Sequence, residues 1–194
     1  MIRGDSTEYD LLGKWANFDC QGYNSVEIGV REGLGTKVIL DNIKNNYIHI
    51  GIDPYGDLEY QHTDNDAEAK WNGKSTPPTY SDAMRDTMLN DFKWYRNQGR
   101  FSLANMPDYL FMTNPSYNEK KYAFVHFDGP HTTKAVITEA VWFANRSAPH
   151  TRFVFDDYDV FDMQLIINIL DRFGFKPIEK GNNKILLEKN GSDN

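Results

Sequence analysis

Short apolar segments of strand-like composition alternate along this chain with segments of helical periodicity. The clearest strand is predicted at 122–127, and the helical spacing of apolar residues at 132–145 follows it directly. A strand, a helix and a further strand in succession are typical of a parallel sheet. Strands are predicted at 25–30, 47–53, 100–104, 122–127, 152–155, 175–179 and 184–188, and helices at 35–44, 81–97, 107–112, 132–145 and 161–173. We therefore expect an α/β fold: a single doubly wound, mostly parallel seven-stranded sheet with a C-terminal antiparallel hairpin.

The length of the chain fits one domain, which we place at residues 1–194. The segment at about 55–80 is polar and is interrupted by Pro77 and Pro78. It is predicted to be an insertion into the domain rather than part of its core.

A net charge of −7 argues against a broad surface for nucleic acid or anionic membranes, because such partners need clustered Lys and Arg. No apolar run approaches the length of a membrane span. The single cysteine, Cys20, cannot form an internal disulfide, and the N-terminus does not resemble a signal peptide. We expect a cytoplasmic protein that acts on a small molecule, without nucleic-acid or membrane partners.

A glycine-rich turn follows the first predicted strand. Gly29, Gly33 and Gly35 let the backbone turn tightly and approach a ligand. Their spacing departs from the dinucleotide fingerprint, because Arg31 stands where the second glycine would be. Asp53, at the end of the second strand, suits two ribose hydroxyls. This pattern favours a nucleotide ligand other than a dinucleotide.

Glu27 is an acid inside an otherwise apolar strand, where a charge is costly unless it is paired or hydrogen-bonded. Its functional interpretation is an acceptor for a cationic amino group of the ligand, directly or through water. The alternative is a glycine-rich turn that binds no ligand at all. Glu27 together with Asp53 favours a nucleotide site.

Two pairs of motifs resemble a known family. The segment 27–36, with Glu27-Ile28-Gly29, and the segment 51–54 (GIDP) are similar to the first two motifs of class I S-adenosylmethionine (SAM)-dependent methyltransferases. The segments 127–131 (FDGPH) and 155–158 (FDDY) resemble the subgroup that contains macrolide-sugar and aminocoumarin-sugar O-methyltransferases. The resemblance implies the Rossmann-like class I methyltransferase fold.

The resemblance also implies roles for single residues. Glu27, Gly29 and Gly33 would line the methionine part of SAM. Asp53 would hold the ribose, and Asn105 and Met106 would lie near the adenine. The predicted cofactor-binding residues are Glu27, Gly29, Arg31, Gly33, Thr36, Asp53, Asn105, Met106 and Asp128.

Three acids at strand ends suggest a metal site. Asp128, Asp156 and Asp157 supply the hard oxygen ligands that Mg²⁺ prefers. In the resembled subgroup the corresponding acids bind a metal, and a histidine three positions after the first acid is the base. Asp128 and His131 reproduce that interval, so His131 is the predicted catalytic base. The alternative is that these residues form a strand-end turn and helix caps.

The predicted function is O-methylation of a small polyhydroxylated molecule, with SAM, Mg²⁺ and a histidine base. A hydroxylase-like enzyme on the same fold and a non-catalytic SAM-binding protein are the alternatives, and a homodimer is expected by analogy. A nicotinamide-dependent oxidoreductase is disfavoured by Arg31. His49 and His126 are expected to be packed or hydrogen-bonded within strands, and His62 with Asp64 and Asp66 is expected to be a solvated acidic loop.

Overall fold

The computed structural model describes residues 2–4, 6–44, 48–56, 61–65 and 80–191. Its strands are β1 (Asn24–Ile28), β2 (His49–Ile52), β3 (Phe101–Ala104), β4 (Tyr122–Phe127), β5 (Ser147–Phe155), β6 (Phe175–Lys180) and β7 (Ile185–Lys189). Its α-helices are α1 (Tyr9–Ala16), α2 (Leu34–Asn42), α3 (Asp82–Asp91), α4 (Lys93–Asn97), α5 (Asp108–Thr113), α6 (Pro115–Asn118), α7 (Thr133–Ala144) and α8 (Met163–Leu170).

In the described residues the strands form one seven-stranded sheet in the order β3-β2-β1-β4-β5-β7-β6. Strand β1 pairs in parallel with β2 and β4, and β7 runs antiparallel to both β5 and β6. The order of the strands therefore changes direction between β1 and β4: β2 and β3 extend the sheet on one side, and β4 and β5 extend it on the other. This confirms the predicted doubly wound, mostly parallel sheet with its C-terminal hairpin.

Helices cover both faces of the sheet. On one face, Phe143 of α7 packs with Phe127 and Phe153 of the sheet, together with side chains of α8. On the other face, Trp15 of α1 and Ile39 of α2 lie in a cluster that includes strand residues such as Phe124 and Val154. Since each large side chain removed from water contributes about 1.5–3 kcal/mol, burial of both strand faces stabilises a parallel sheet strongly.

Several elements differ from the sequence prediction. The helix predicted at 81–97 is divided into α3 and α4 at Phe92, which is fully buried. The helix predicted at 161–173 consists of α8 and a 3₁₀ turn, Asp171–Phe173, which ends where Gly174 has φ +84°. Helices α1 and α6 were not predicted, and β5 begins five residues before the expected 152.

Most of the predicted polar insertion at 55–80, with Pro77, Pro78 and Asp66, lies outside the described residues, as does Tyr47 of the second predicted strand. Among the helices described, none is both long and apolar enough to span a membrane.

Candidate functional site

A cavity of about 430 Å³ opens at the carboxyl ends of β1, β2 and β4. Parallel sheets of this kind bind ligands at these ends, where the strand order reverses. Of the predicted site residues, those that line the cavity are Glu27, Gly29, Arg31, Asp53, Asp128, His131 and Asp157. Those that do not line it are Gly33, Thr36, Asn105, Met106 and Asp156.

The turn after β1 needs two glycines. Gly29 has φ +85°, and a Cβ at this position would collide with the carbonyl oxygen of Asp128. The backbone of the turn therefore packs directly against the end of β4. Gly33 is the N-cap of α2 and has φ +90°, a conformation that glycine adopts without steric cost.

Asp53 holds this turn in place through backbone hydrogen bonds. Its Oδ2 accepts from the amides of Val30 (3.0 Å) and Arg31 (2.9 Å), and its Oδ1 accepts from the amide of Tyr55 (3.0 Å). Burial raises the pKa of Asp53 above its ordinary value, although the three N–H groups oppose this. Each carboxylate oxygen has two lone pairs, so Oδ1 can still accept a ligand hydroxyl.

Glu27 is 1% exposed and has protein partners on two sides. Its carboxylate accepts a hydrogen bond from the hydroxyl of Thr36 and lies 3.0 Å from Nδ1 of His126, its register partner on β4. Nε2 of His49 lies 4.0 Å away, and Nδ1 of the same ring contacts the Ser25 hydroxyl. His49 and His126 are hydrogen-bonded strand residues, as predicted. Thr36 holds Glu27 in position, a role that the sequence did not indicate.

Acid titration tests this buried cluster. Burial raises the pKa of Glu27, but the hydrogen bond with His126 and the nearby imidazole of His49 outweigh it and lower the pKa to about 2. A pKa depressed from about 4.5 gives stability that is complete above pH 4.5 and is lost as the pH falls toward 2. Linkage puts the loss at about 3 kcal/mol. Urea unfolding of wild type and Glu27→Gln between pH 5 and 3 should show the steeper loss in wild type. Parallel losses would contradict the assignment.

After β3, the residues that line the cavity begin at Pro107, two positions beyond the predicted Asn105. The side-chain amide of Asn105 donates to the carbonyl oxygens of Asp53 (3.2 Å) and Pro54, and its oxygen accepts from Arg85. Met106 packs against the hydrophobic core. The cavity is lined instead by Pro107, Asp108 and Tyr109. Asn105 thus ties the ends of β2 and β3 together, and contact of Asn105 and Met106 with adenine stays a prediction.

His131 lies between two of the predicted acids. Its Nε2 is 3.9 Å from Oδ1 of Asp128, and its Nδ1 is 3.8 Å from Oδ2 of Asp157. The side chain is 5% exposed, and neither nitrogen has a hydrogen-bond partner among the described residues. Burial, with the neighbouring His62, lowers the pKa of His131 to about 4. The imidazole is therefore neutral at pH 7 and can accept a proton.

His62 belongs to this site, contrary to the solvated loop that the sequence suggested. Its ring packs edge-on against His131 with centroids 5.1 Å apart, and its carbonyl accepts from the His131 amide at 2.7 Å. Asp64 accepts hydrogen bonds from the amide and hydroxyl of Thr133 at the start of α7. Segment 61–65 thereby packs on the loop between β4 and α7, and Asp66 lies outside the described residues.

Asp156 is fully buried and every oxygen has partners within the protein. Its Oδ2 forms an ion pair with Lys184 and accepts from the Ser6 hydroxyl at 2.6 Å. Its Oδ1 accepts from the side-chain amide of Asn183 (3.2 Å) and from the amide of Asp157 (3.0 Å). Lys184 was not singled out in the sequence, where it only begins a predicted apolar strand.

The predicted three-acid Mg²⁺ site does not fit these contacts. Asp156 already has four partners, and Mg²⁺ needs close oxygen ligands in octahedral geometry. Within the described part of the chain, the set of ligand atoms that lie within 4.8 Å of one another comes from Glu27, His126 and Asp128, of which the first two already bind each other. The side chains of Asp128, Asp156 and Asp157 are therefore not arranged to ligate one Mg²⁺ ion together.

The N-terminal segment forms part of the cavity wall, although no local sequence pattern indicated this. Ser6, Thr7 and Tyr9 are among its lining residues. The segment is fixed by Glu8, whose carboxylate accepts from the amides of residues 182–184 at 2.7–3.2 Å. Contacts between residues this far apart in sequence depend on the completed fold.

Comparison with known proteins agrees with this geometry. Residues 26–158 match the family model described as "Methyltransferase domain". No curated protein sequence matches the chain. Similar solved structures include an O-methyltransferase from Bacillus cereus in complex with SAH (10% identity, 93% of this chain and 77% of that one, TM-score 0.55). A second similar structure is the calicheamicin methyltransferase CalS11 (16% identity, 93% of this chain and 76% of that one, TM-score 0.56). A third is the N-methyltransferase NodS from Bradyrhizobium japonicum (12% identity, 94% of each chain, TM-score 0.57).

At these identities the structures show a shared fold, while the family match covers more than half of the chain. The family match confirms the methyltransferase domain that the motifs at 27–36 and 51–54 indicated, and the solved structures confirm its fold. The chain belongs to the methyltransferase-domain family.

Proposed function

We propose that this chain transfers the methyl group of SAM to a hydroxyl of a small polyhydroxylated molecule. The observation that carries the proposal is His131, a buried neutral imidazole on the cavity wall with both nitrogens unpartnered among the described residues. A hydroxyl oxygen becomes a good nucleophile only when a base removes its proton. In this proposal His131 supplies that base.

The cavity wall fits SAM by its charge. Among the described residues it carries six carboxylates (Glu27, Glu32, Asp53, Asp108, Asp128 and Asp157) against two arginines (Arg3 and Arg31). SAM has a cationic sulfonium and an ammonium group as well as two ribose hydroxyls, and when bound it supplies an electrophilic methyl group. Asp53 would accept from the ribose hydroxyls, and Glu27 would face the ammonium group, directly or through water. A negative wall favours a cationic ligand over neutral or anionic ones.

Two acids support the proposed base. When the imidazole takes up a proton, Asp157 and Asp128 at 3.8 and 3.9 Å stabilise the positive charge. Proton transfer by a positioned side chain contributes about 10²–10⁴-fold to rate. Because Asp156 is already neutralised by Lys184, the proposed reaction uses no metal ion held by Asp156.

Incubation with SAM and a panel of hydroxylated acceptors, followed by mass spectrometry, tests the proposal. We expect a product heavier by one methyl group, together with S-adenosylhomocysteine. A product heavier by one oxygen atom would favour the hydroxylase-like alternative. Cofactor binding without any product across sugars, polyols and phenols would favour the non-catalytic alternative. The homodimer and the cytoplasmic location expected from the sequence stay predictions, and light scattering of the purified protein tests the former.

A further inference from the structure

Among the described residues, Lys184 is a buried cation at the turn between β6 and β7. Its side chain is 0% exposed, and its ammonium contacts Oδ2 of Asp156 and the hydroxyl of Ser6 at 2.7 Å. The ring of Tyr9 lies on the same side, 5.7 Å from Nζ to the centroid. A buried ammonium is tolerated only when it is paired and hydrogen-bonded, and these contacts meet both conditions.

Asp156 has no oxygen left for a metal ion. Both of its oxygens have two partners each, and these four contacts use the lone pairs that a cation would need. The ammonium of Lys184 lies against the carboxylate where an ion would have to bind, and its positive charge faces Asp156.

A chain of hydrogen bonds connects this pair to the cavity. The side-chain amide of Asn183 donates to Oδ1 of Asp156 (3.2 Å) and to Oδ1 of Asp157 (3.1 Å). Asp157 adopts φ +46°, in the left-handed region that Asp enters more readily than most residues other than glycine, and its Oδ2 faces His131. The Lys184–Asp156 pair therefore lies directly behind the acid that faces the proposed base.

We infer that Lys184 is a built-in replacement for a metal ion at Asp156: its ammonium neutralises this carboxylate, and Asp156 does not ligate a divalent cation. The inference concerns the chemistry of the proposed methyl-transfer site, but it stands on the ion pair and is tested without turnover. The three acids in the sequence predicted that Mg²⁺ would supply positive charge at Asp156. In the structure Lys184 supplies that charge.

Electron paramagnetic resonance with Mn²⁺, a substitute for Mg²⁺, tests the metal side of the inference. Wild type and Asp156→Asn are titrated with Mn²⁺ alone, and the loss of the free-ion signal is measured. We expect the two proteins to give the same titration. Stoichiometric Mn²⁺ binding by wild type that Asp156→Asn abolishes would overturn the inference, whether or not the protein methylates any acceptor.

Thermal unfolding tests the charge side. Lys184→Met should lower Tm, since it leaves the Asp156 carboxylate buried and unpaired, whereas Lys184→Met with Asp156→Asn should recover part of that loss. Lys176→Met is the matched control, because Lys176 pairs with Asp171 at an exposed position and its loss should hardly change Tm. Additive losses in the double variant, or a Lys184→Met variant as stable as the control, would overturn the inference. If Lys184→Met does not fold but the double variant does, the neutralising role is supported.

Discussion

Replacing His131 with alanine is expected to reduce kcat by about 10²–10⁴-fold, the range that a general base contributes. The physical reason is that no other neutral base among the described residues stands between two acids on the cavity wall. Binding of S-adenosylhomocysteine should change little, because the imidazole makes no hydrogen bond that shapes the glycine turn. The measurements are turnover by mass spectrometry and affinity by calorimetry.

The control for this variant is His150→Ala. His150 is exposed on β5, where it faces Glu188 at 3.6 Å, and it does not line the cavity. Its replacement removes an imidazole of the same kind without touching the site. Unchanged turnover in His131→Ala would remove His131 from the mechanism, and equal losses in both variants would point to a general effect on folding.

Replacing Asp53 with alanine is expected to have the largest effect on cofactor affinity. The carboxylate accepts three backbone hydrogen bonds that fix the turn after β1. Without these bonds the turn would be less ordered in the free protein, so ligand binding would have to order it. The ribose contact proposed for Asp53 would be lost as well, and since a hydrogen bond to a charged group contributes about 1.5–3 kcal/mol, the loss of that one contact corresponds to a roughly 10- to 150-fold weaker complex.

The experiment compares S-adenosylhomocysteine affinity in wild type, Asp53→Asn and Asp53→Ala. Asparagine keeps one acceptor oxygen, so its affinity should lie between the other two. Asp171→Ala removes an exposed acid far from the cavity and serves as the control. If Asp53→Ala binds as tightly as wild type while remaining folded, Asp53 neither holds the turn nor contacts the ligand.

The sheet was predictable because its strands carry strong local signals. Tyr122–Phe127 was predicted with the boundaries observed, since a continuous apolar run bounded by polar residues is typical of a strand buried on both faces. The first five residues of β5 were missed because Pro149 and His150 interrupt the apolar pattern. Helix α1 was missed although Leu12, Trp15 and Ala16 have helical spacing, because the helix is only eight residues long and its charged residues obscure the pattern.

The site was predictable only in part. The convergence of Asp53, Asp128 and His131 on one cavity follows from parallel strands whose ends meet at the same edge. What the acids do there was not predictable, because their partners come from distant parts of the chain. Ser6 is 150 residues from Asp156 in sequence, and Lys184 enters from the final hairpin. The sequence shows the three acids but not the side chains that contact them, and for that reason it predicted a metal ion.

Calorimetric titration of the folded protein with S-adenosylhomocysteine shows whether the cavity at the ends of β1, β2 and β4 binds the cofactor. This cavity is proposed to bind SAM whatever the acceptor is. We expect saturable binding of one ligand per chain that is weakened by Asp53→Ala and retained by His131→Ala. Absence of binding to wild-type protein shown to be folded by circular dichroism would contradict the proposal.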